Sequence, residues 1–246
     1  MAVCEFYNEP GECVEMEKTM ELQVIAKIQN GFKEKFGIPR QSSLVAQVTS
    51  KIVFEKAYRD ANALRGLDGY SHLWLIWGFS ENKRTSWSPT VKPPRLGGNT
   101  RMGVFATRSP YRPNPLGLSS VKLVKIETTK EEGTVLWVQG ADLMNGTPIY
   151  DIKPYLAFTD SHPEALGGFA DEVREHALQV VFPEELLCKI PKEERDIVQG
   201  ILAGDPRPAY QQDAERIYGF RYQQHDIRFT VQDKRLTVCE VVEYNE

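Results

Sequence analysis

The chain has 246 residues, a hydrophobic fraction of 41%, a charged fraction of 26% and a formal net charge of −4, which suits one large or two small soluble domains. No apolar run approaches the roughly 20 residues that span a bilayer, and the opening MAVCEFYNEPGECVEMEK has early acids and no apolar signal segment, so a cytoplasmic protein is expected. Cys4, Cys13, Cys188 and Cys239 form no CxxC pair and have no histidine at zinc-ligand spacing, so no metal is expected.

Residues 1–21 are polar and read as a flexible extension. Leu22, Val24, Ala26 and Ile28 then alternate with mostly polar neighbours, the period of a half-buried strand. A loop over 30–43 precedes a second strand, Val45 to Phe54, and Ala57 to Leu64 reads as one or two helical turns. His72 to Phe79 is apolar almost throughout, as a strand buried on both faces would be. Met102 to Ala106, Val121 to Ile126 and Thr134 to Val138 follow as short β-rich runs. Their spacing predicts a barrel or sandwich rather than βαβ units. The long loops 80–101 and 107–117 do not fit a bland version of that fold, because compact domains seldom keep such loops without use.

After about residue 160 the composition shifts. A strand is expected over His176–Phe182, helices over Pro183–Cys188 and Lys192–Ala203, an ordered turn at Asp205-Pro206-Arg207-Pro208, and a hairpin from Ile227 to Val242. The predicted architecture is therefore a mainly β, barrel-like domain over 22–160 with a small α+β domain over 161–246.

The charge is uneven. Lys83, Arg84, Lys92, Arg95, Arg101, Arg108 and Arg112 fall in a window with no acid. Such a window on an acidic protein either binds a polyanion or is a solvated loop. The chain has no GxGxG turn between a strand and a helix, no P-loop, no HExxH and no GxSxG, so a Rossmann or other conventional nucleotide fold is not supported. The richest stretch is PPRLGGNTRMGVFATRSPYRPNPLGL, residues 93–118. Its prolines and glycines stiffen or free the backbone at chosen points, and its arginines suit planar anions.

This stretch resembles the signature of the tRNA adenosine-37 N6-methyltransferase family of β-barrel type. The resemblance extends to Pro39-Arg40-Gln41, to Arg65-Gly66-Leu67 with Ser71-His72-Leu73-Trp74, to Asp142-Leu143 with Gly146-Thr147-Pro148, to Asp151-Ile152-Lys153-Pro154-Tyr155 and to Asp205-Pro206-Arg207-Pro208-Ala209-Tyr210. It runs from about residue 22 to the end. It implies a homodimer that binds S-adenosylmethionine and methylates threonylcarbamoyl-adenosine 37 in the tRNA anticodon loop. The implied cofactor contacts are Pro39, Arg40, Gln41, Ser80, Glu81, Arg108, Leu118, Gln139, Gly140, Ala141 and Asp142. The residues agree chemically, since Arg40 or Arg108 suits the cofactor carboxylate and Asp142 its ribose or amino group.

Arg95, Arg101, Arg112 and Lys153 are the candidate RNA contacts. Asn114, before Pro115, is a candidate grip on the acceptor amine, and His72 a candidate proton acceptor; Trp74 and Trp77 read as core. Two departures stand out: Asn145 where the family has Asp, and Gln29-Asn30-Gly31-Phe32 where it has RSPY or RSPF. A cofactor- or RNA-binding module without turnover, or a methyltransferase with another acceptor, remain the alternatives.

Overall fold

The computed structural model describes residues 20–81, 87–96, 99–172, 177–207 and 213–244, apart from the side chains of Arg95 and Glu172. The expected extension up to residue 19, Lys83, Arg84, Gly97-Gly98 and Pro208-Ala209-Tyr210 lie outside these residues, as does the Arg95 side chain. Up to residue 154 the described strands are β1 (Ala26–Gln29), β2 (Thr49–Phe54), β3 (His72–Gly78), β4 (Thr90–Val91), β5 (Met102–Gly103), β6 (Leu116–Thr129), β7 (Gly133–Gln139) and β8 (Pro148–Pro154). Six of them pair in the order β1-β2-β7-β6-β3-β8, and β8 returns to β1 with Ala26 opposite Ile149, closing the ring. β4 and β5 form a separate two-stranded ribbon.

Side-chain alternation decides which residues fill the ring. Leu73, Leu75 and Trp77 of β3 point inward and are buried, whereas Trp74 and Ile76 remain half-buried on the outer face. Contrary to the sequence expectation, β3 is therefore fully buried on one face only. Ile28, Ile52, Val121, Leu136 and Ile149 complete the inner core.

Every pairing in the ring is antiparallel. The chain therefore leaves β1, β3 and β7 at the same end at which it enters β2, β6 and β8. The connections 30–48, 79–115 and 140–147 share that end, the mouth. The connections 55–71 and 130–132 share the other.

The remaining elements are α1 (Ala157–Asp160), α2 (Phe169–Glu172), β9 (Gln179–Val181), α3 (Glu184–Leu187), α4 (Lys192–Ala203), β10 (Tyr218–Tyr222), β11 (His225–Gln232) and β12 (Arg235–Glu243). The sheet order is β10-β11-β12-β9, with β9 parallel to β12. α4 buries Ile197, Val198, Ile201 and Leu202, spaced for one helical face, in a core shared with Phe220, Ile227 and Phe229.

That second core also takes Phe32, Val45 and Val48 from the β1–β2 connection. This is why the strand expected from Val45 begins only at Thr49: Val45 and Val48 are claimed by the other core, and Ser43 turns the chain at φ +66°. The first strand is likewise shorter than Leu22–Gln29, because the ladder with β2 and β8 starts at Ala26. The run Met102–Ala106 is a two-residue strand followed by a 3-10 turn. β8 and β10 were not foreseen as strands.

Candidate functional site

Pro39, Arg40, Gln41, Ser80, Glu81, Arg108 and Gln139 through Asp142 all lie in the mouth connections or at the strand end that feeds one. The centre is Asp142. Its Oδ1 accepts from Ser119 Oγ at 2.5 Å, and Ser119 Oγ accepts from Trp77 Nε1 at 2.9 Å. Ser119 is 0% exposed and Trp77 is 8% exposed, so this is an interior relay that reaches the surface only at the carboxylate. Burial pushes the Asp142 carboxyl above its ordinary range, while the Ser119 hydroxyl, the backbone amides of Asp142 and Ser42, and the Arg108 charge pull the other way.

Gly117 makes the relay possible. It stands opposite Trp77 in the β3–β6 ladder, and a Cβ there would lie 2.2 Å from Trp77 Cε2. Only a residue without a side chain lets the indole lie across the strand toward Ser119. Gly140 has φ +80°, donates its N–H to the Val48 carbonyl at 2.9 Å and accepts from the Ser43 N–H at 2.8 Å. That left-handed turn ties the connection carrying Asp142 to the one carrying Gln41.

Around this centre Arg108 Nη1 donates to Gln41 Oε1, and Gln41 Nε2 donates to the Arg40 carbonyl at 2.7 Å. Lys35 Nζ donates to the Glu81 carbonyl at 3.4 Å, which brings the β3–β6 connection alongside the β1–β2 connection. Arg40 does not extend into the mouth in the expected way: its Nη2 donates to the carbonyls of Asp205 and Arg207 at 2.7 and 2.6 Å. Leu118 is 58% exposed and faces outward, because its neighbour Ser119 faces in.

Beside the mouth runs a cleft of about 560 Å³, lined by Met20, Leu22, Gly78, Phe79, Ser80, Asn114, Pro115, Leu116 and Tyr150. Its volume lies in the ordinary range for ligand sites. Asn114 and Ser80, expected in different roles, therefore line one cleft. Trp77 packs edge-on against Phe79 with centroids 4.5 Å apart, so the indole of the relay touches a wall residue of the cleft.

Two expected residues are not brought to this end. His72 starts β3, six residues from Gly78, or roughly 20 Å along a strand. There its Nδ1 lies 2.9 Å from Ser71 Oγ and its ring packs near Tyr155. Lys153 lies near the same far end, opposite Trp74, and pairs with Asp151 at 3.0 Å. Arg112 braces its own loop through the Thr107 carbonyl at 3.2 Å, and Arg101 donates to Thr90 Oγ1 at 2.9 Å while remaining exposed.

The two departures from the family pattern meet. Asn145 Oδ1 accepts from the Asn30 N–H at 3.1 Å, the Asn145 N–H donates to the Phe32 carbonyl at 2.8 Å, and Asn30 Nδ2 donates to the Leu143 carbonyl at 2.8 Å. Asn145 thus fastens two mouth connections together. An acceptor oxygen is all that the Asn30 contact requires, and Asn or Asp supplies one.

Sequence reasoning missed Ser119, Ser42 and the role of Trp77. The available signal for Ser119 was a small polar residue at an inward position of a strand. Among the described residues no group of three or more His, Cys, Asp or Glu is placed to hold a metal, and no described helix is long and apolar enough to cross a membrane.

Comparison with known proteins identifies the family and the fold. The family model for the tRNA-methyltransferase O N-terminal domain matches residues 27–161, and that for the TrmO C-terminal domain matches 175–244. A relative from Escherichia coli K12, named tRNA (adenine(37)-N6)-methyltransferase, is 39% identical over 87% of this chain and 94% of its own. One of the same name from Eikenella corrodens is 45% identical over 70% of this chain and 97% of its own. A crystal structure of TrmO from Pseudomonas aeruginosa, 29% identical, has TM-score 0.72 over 92% of this chain and 100% of that one. The chain belongs to the tRNA-methyltransferase O family.

Proposed function

We propose that this chain is an S-adenosylmethionine-dependent methyltransferase acting on N6 of adenosine 37 in tRNA, with threonylcarbamoyl-adenosine beside the anticodon as the acceptor. Relatives bear the name tRNA (adenine(37)-N6)-methyltransferase, and one from Pseudomonas aeruginosa is named a putative S-adenosylmethionine-dependent methyltransferase. The observation that carries the reading is the Asp142 carboxylate, locked by Ser119 and set near Arg108 and Gln41 at the barrel end shared by the connections 30–48, 79–115 and 140–147.

The donor set fits the cofactor. Asp142 accepts from the ribose or amino group, and Arg108 offers further N–H groups to the carboxylate. Gln41 and the Gly140 turn line the space between them. When bound, S-adenosylmethionine supplies a methyl group on a sulfonium that departs as a neutral thioether. Held by Asp142, Arg108 and Gln41, it would offer that methyl group to the N6 nitrogen of the acceptor, whose proton would pass to solvent.

The protein's part is positioning, which can lower a barrier by several kcal/mol. The cleft takes the splayed base: Phe79 and Tyr150 supply aromatic faces, and the Asn114 amide suits the polar edge of adenine. Anticodon-loop bases are unpaired, so the cost of splaying one out is low. Exposed Arg101 meets phosphate, with Arg95, Arg112 and Lys153 as further candidate contacts. The 22–160 unit holds the cofactor, and the 161–246 unit is the small α+β domain beside it. A homodimer completes the arrangement: Leu118 turns away from its own mouth and contacts cofactor only across a two-fold interface. The whole is assigned to the cytoplasm.

The test is methyl transfer from labelled S-adenosylmethionine to tRNA from cells lacking this gene, read by nucleoside mass spectrometry. Methylated threonylcarbamoyl-adenosine is expected. No incorporation, with S-adenosylhomocysteine still bound in calorimetry, would leave only a binding module or another acceptor. Binding of tRNA should weaken steeply with salt, whereas a small-molecule acceptor would show no such slope.

A further inference from the structure

We infer that Arg40 is a positioning residue through which the turn after α4 sets the cofactor site, and not a ligand of the cofactor's carboxylate. The inference rests on the reading of the mouth as that site.

The guanidinium is committed elsewhere. Arg40 Nη2 donates to two backbone carbonyls, Asp205 at 2.7 Å and Arg207 at 2.6 Å. A nitrogen of this kind has two hydrogens, so both are spent. The two fork geometries by which arginine grips a carboxylate, end-on through Nη1 and Nη2 or side-on through Nε and Nη2, each need Nη2. Arg40 is therefore poorly placed to clamp a carboxylate, whereas Arg108 spends one Nη1 contact on Gln41 and is exposed at the mouth.

The carbonyls that hold Arg40 are themselves fixed. The Asp205 N–H donates to the Leu202 carbonyl at the end of α4 at 3.1 Å. Arg207 closes a two-point contact on the Asp205 carboxylate, Nε to Oδ1 at 2.9 Å and Nη2 to Oδ2 at 3.0 Å. The C-terminal core grips the connection on both sides of Arg40, with Phe36 and Ile38 packed against it before and Val45 and Val48 buried in it after.

The other side of the connection is the site. Gln41 meets Arg108, the Ser42 amide supports the Asp142 carboxylate, and the Ser43 N–H donates to the Gly140 carbonyl at 2.8 Å. Four consecutive residues thus run from the C-terminal turn to the carboxylate at the barrel mouth. Releasing Arg40 lowers the fraction of chains in which Gln41 and Ser42 are in place, and apparent cofactor affinity falls by that fraction.

Two probes separate positioning from direct contact. S-Adenosylhomocysteine carries the carboxylate, and 5′-methylthioadenosine lacks the whole amino-acid arm. In calorimetry on the full chain, Arg40→Ala is expected to weaken both by the same factor, about tenfold, the scale of one lost charge-assisted hydrogen bond. Arg40→Lys, whose single nitrogen can donate to both carbonyls, recovers most of that affinity. Arg108→Ala, as a control, costs S-adenosylhomocysteine far more than methylthioadenosine. In turnover, Arg40→Ala raises the KM for cofactor and leaves kcat near the parent value.

A loss confined to S-adenosylhomocysteine would overturn the inference and make Arg40 a carboxylate ligand. Unchanged affinity for both would overturn it as well. A parent chain that binds neither probe would instead overturn the cofactor reading, and the inference with it.

Discussion

Ser119→Ala tests the buried relay most directly. The change deletes one oxygen from a residue that is 0% exposed, so it opens almost no cavity. It does strand two partners: the Trp77 indole N–H, which donates to Ser119 at 2.9 Å, and Asp142 Oδ1, which accepts at 2.5 Å. A buried donor left without an acceptor costs about 1–3 kcal/mol, and a hydrogen bond to a charged group is worth about 1.5–3 kcal/mol. The two losses share one atom and do not add in full. A net loss of about 2–3 kcal/mol follows, which lowers Tm by roughly 4–12 °C in a chain of this size. The pH dependence carries a sign. Burial raises the Asp142 carboxyl above its ordinary value and Ser119 opposes that rise. A carboxyl raised in the folded state contributes stability that is present below its unfolded value and lost as pH climbs through the folded value. Without Ser119 the folded value rises further, so that loss extends to higher pH. Binding of S-adenosylhomocysteine, which needs the ionised carboxylate, acquires an acid limb displaced in the same direction. Calorimetric melting and titration across the acid range measure both. An unchanged Tm together with superimposable acid limbs would refute the relay.

Gly117→Ala should be worse, because its new Cβ would sit 2.2 Å from the Trp77 ring and must expel the indole; a loss of at least about 2–3 kcal/mol by denaturant unfolding is expected, with a red-shifted tryptophan emission. Asn145→Asp keeps an oxygen for the Asn30 N–H, so stability within about 0.5 kcal/mol of the parent and full turnover are expected; a marked fall in kcat/KM would show that the amide matters beyond the Asn30 contact. His72→Ala should leave kcat within about twofold of the parent, since His72 lies roughly 20 Å along β3 from the cleft; a loss of a hundredfold would place chemistry at the far end of the barrel.

Much of the mouth was legible because its residues sit in loops whose Pro, Gly and Arg content has no use in a bland barrel. Gln41, Arg108, Gly140 and Asp142 were read as one site, and they are adjacent. Arg40 meets partners that its sequence did not announce, for a physical reason: the fork of a guanidinium predicts a planar partner but not which one. Backbone carbonyls 165 and 167 residues away took the role assigned to a cofactor carboxylate. Ser119 escaped notice because alternation along a strand tells which face a residue takes, not what it bonds. The strand over Pro148–Pro154 was hidden by Asp151 and Lys153, which interrupt its apolar pattern on the outer face of the ring. Val45 and Val48 looked like strand continuation because nothing local distinguishes burial in one core from burial in another.

The closed ring has one further consequence. In it β1 and β8 pair with each other, so the ring has no edge strand. It offers no whole strand edge for a partner to extend, which favours recognition through side chains and loops. The scaffold is therefore largely indifferent to what its mouth connections become. Lengthening or rewriting the segment inside the Phe79–Pro115 hydrogen bond removes no rung of the ring, so acceptor preference can change while the barrel stays as it is. Grafting that segment from a relative is the natural route to exchanging substrate choice without rebuilding the fold.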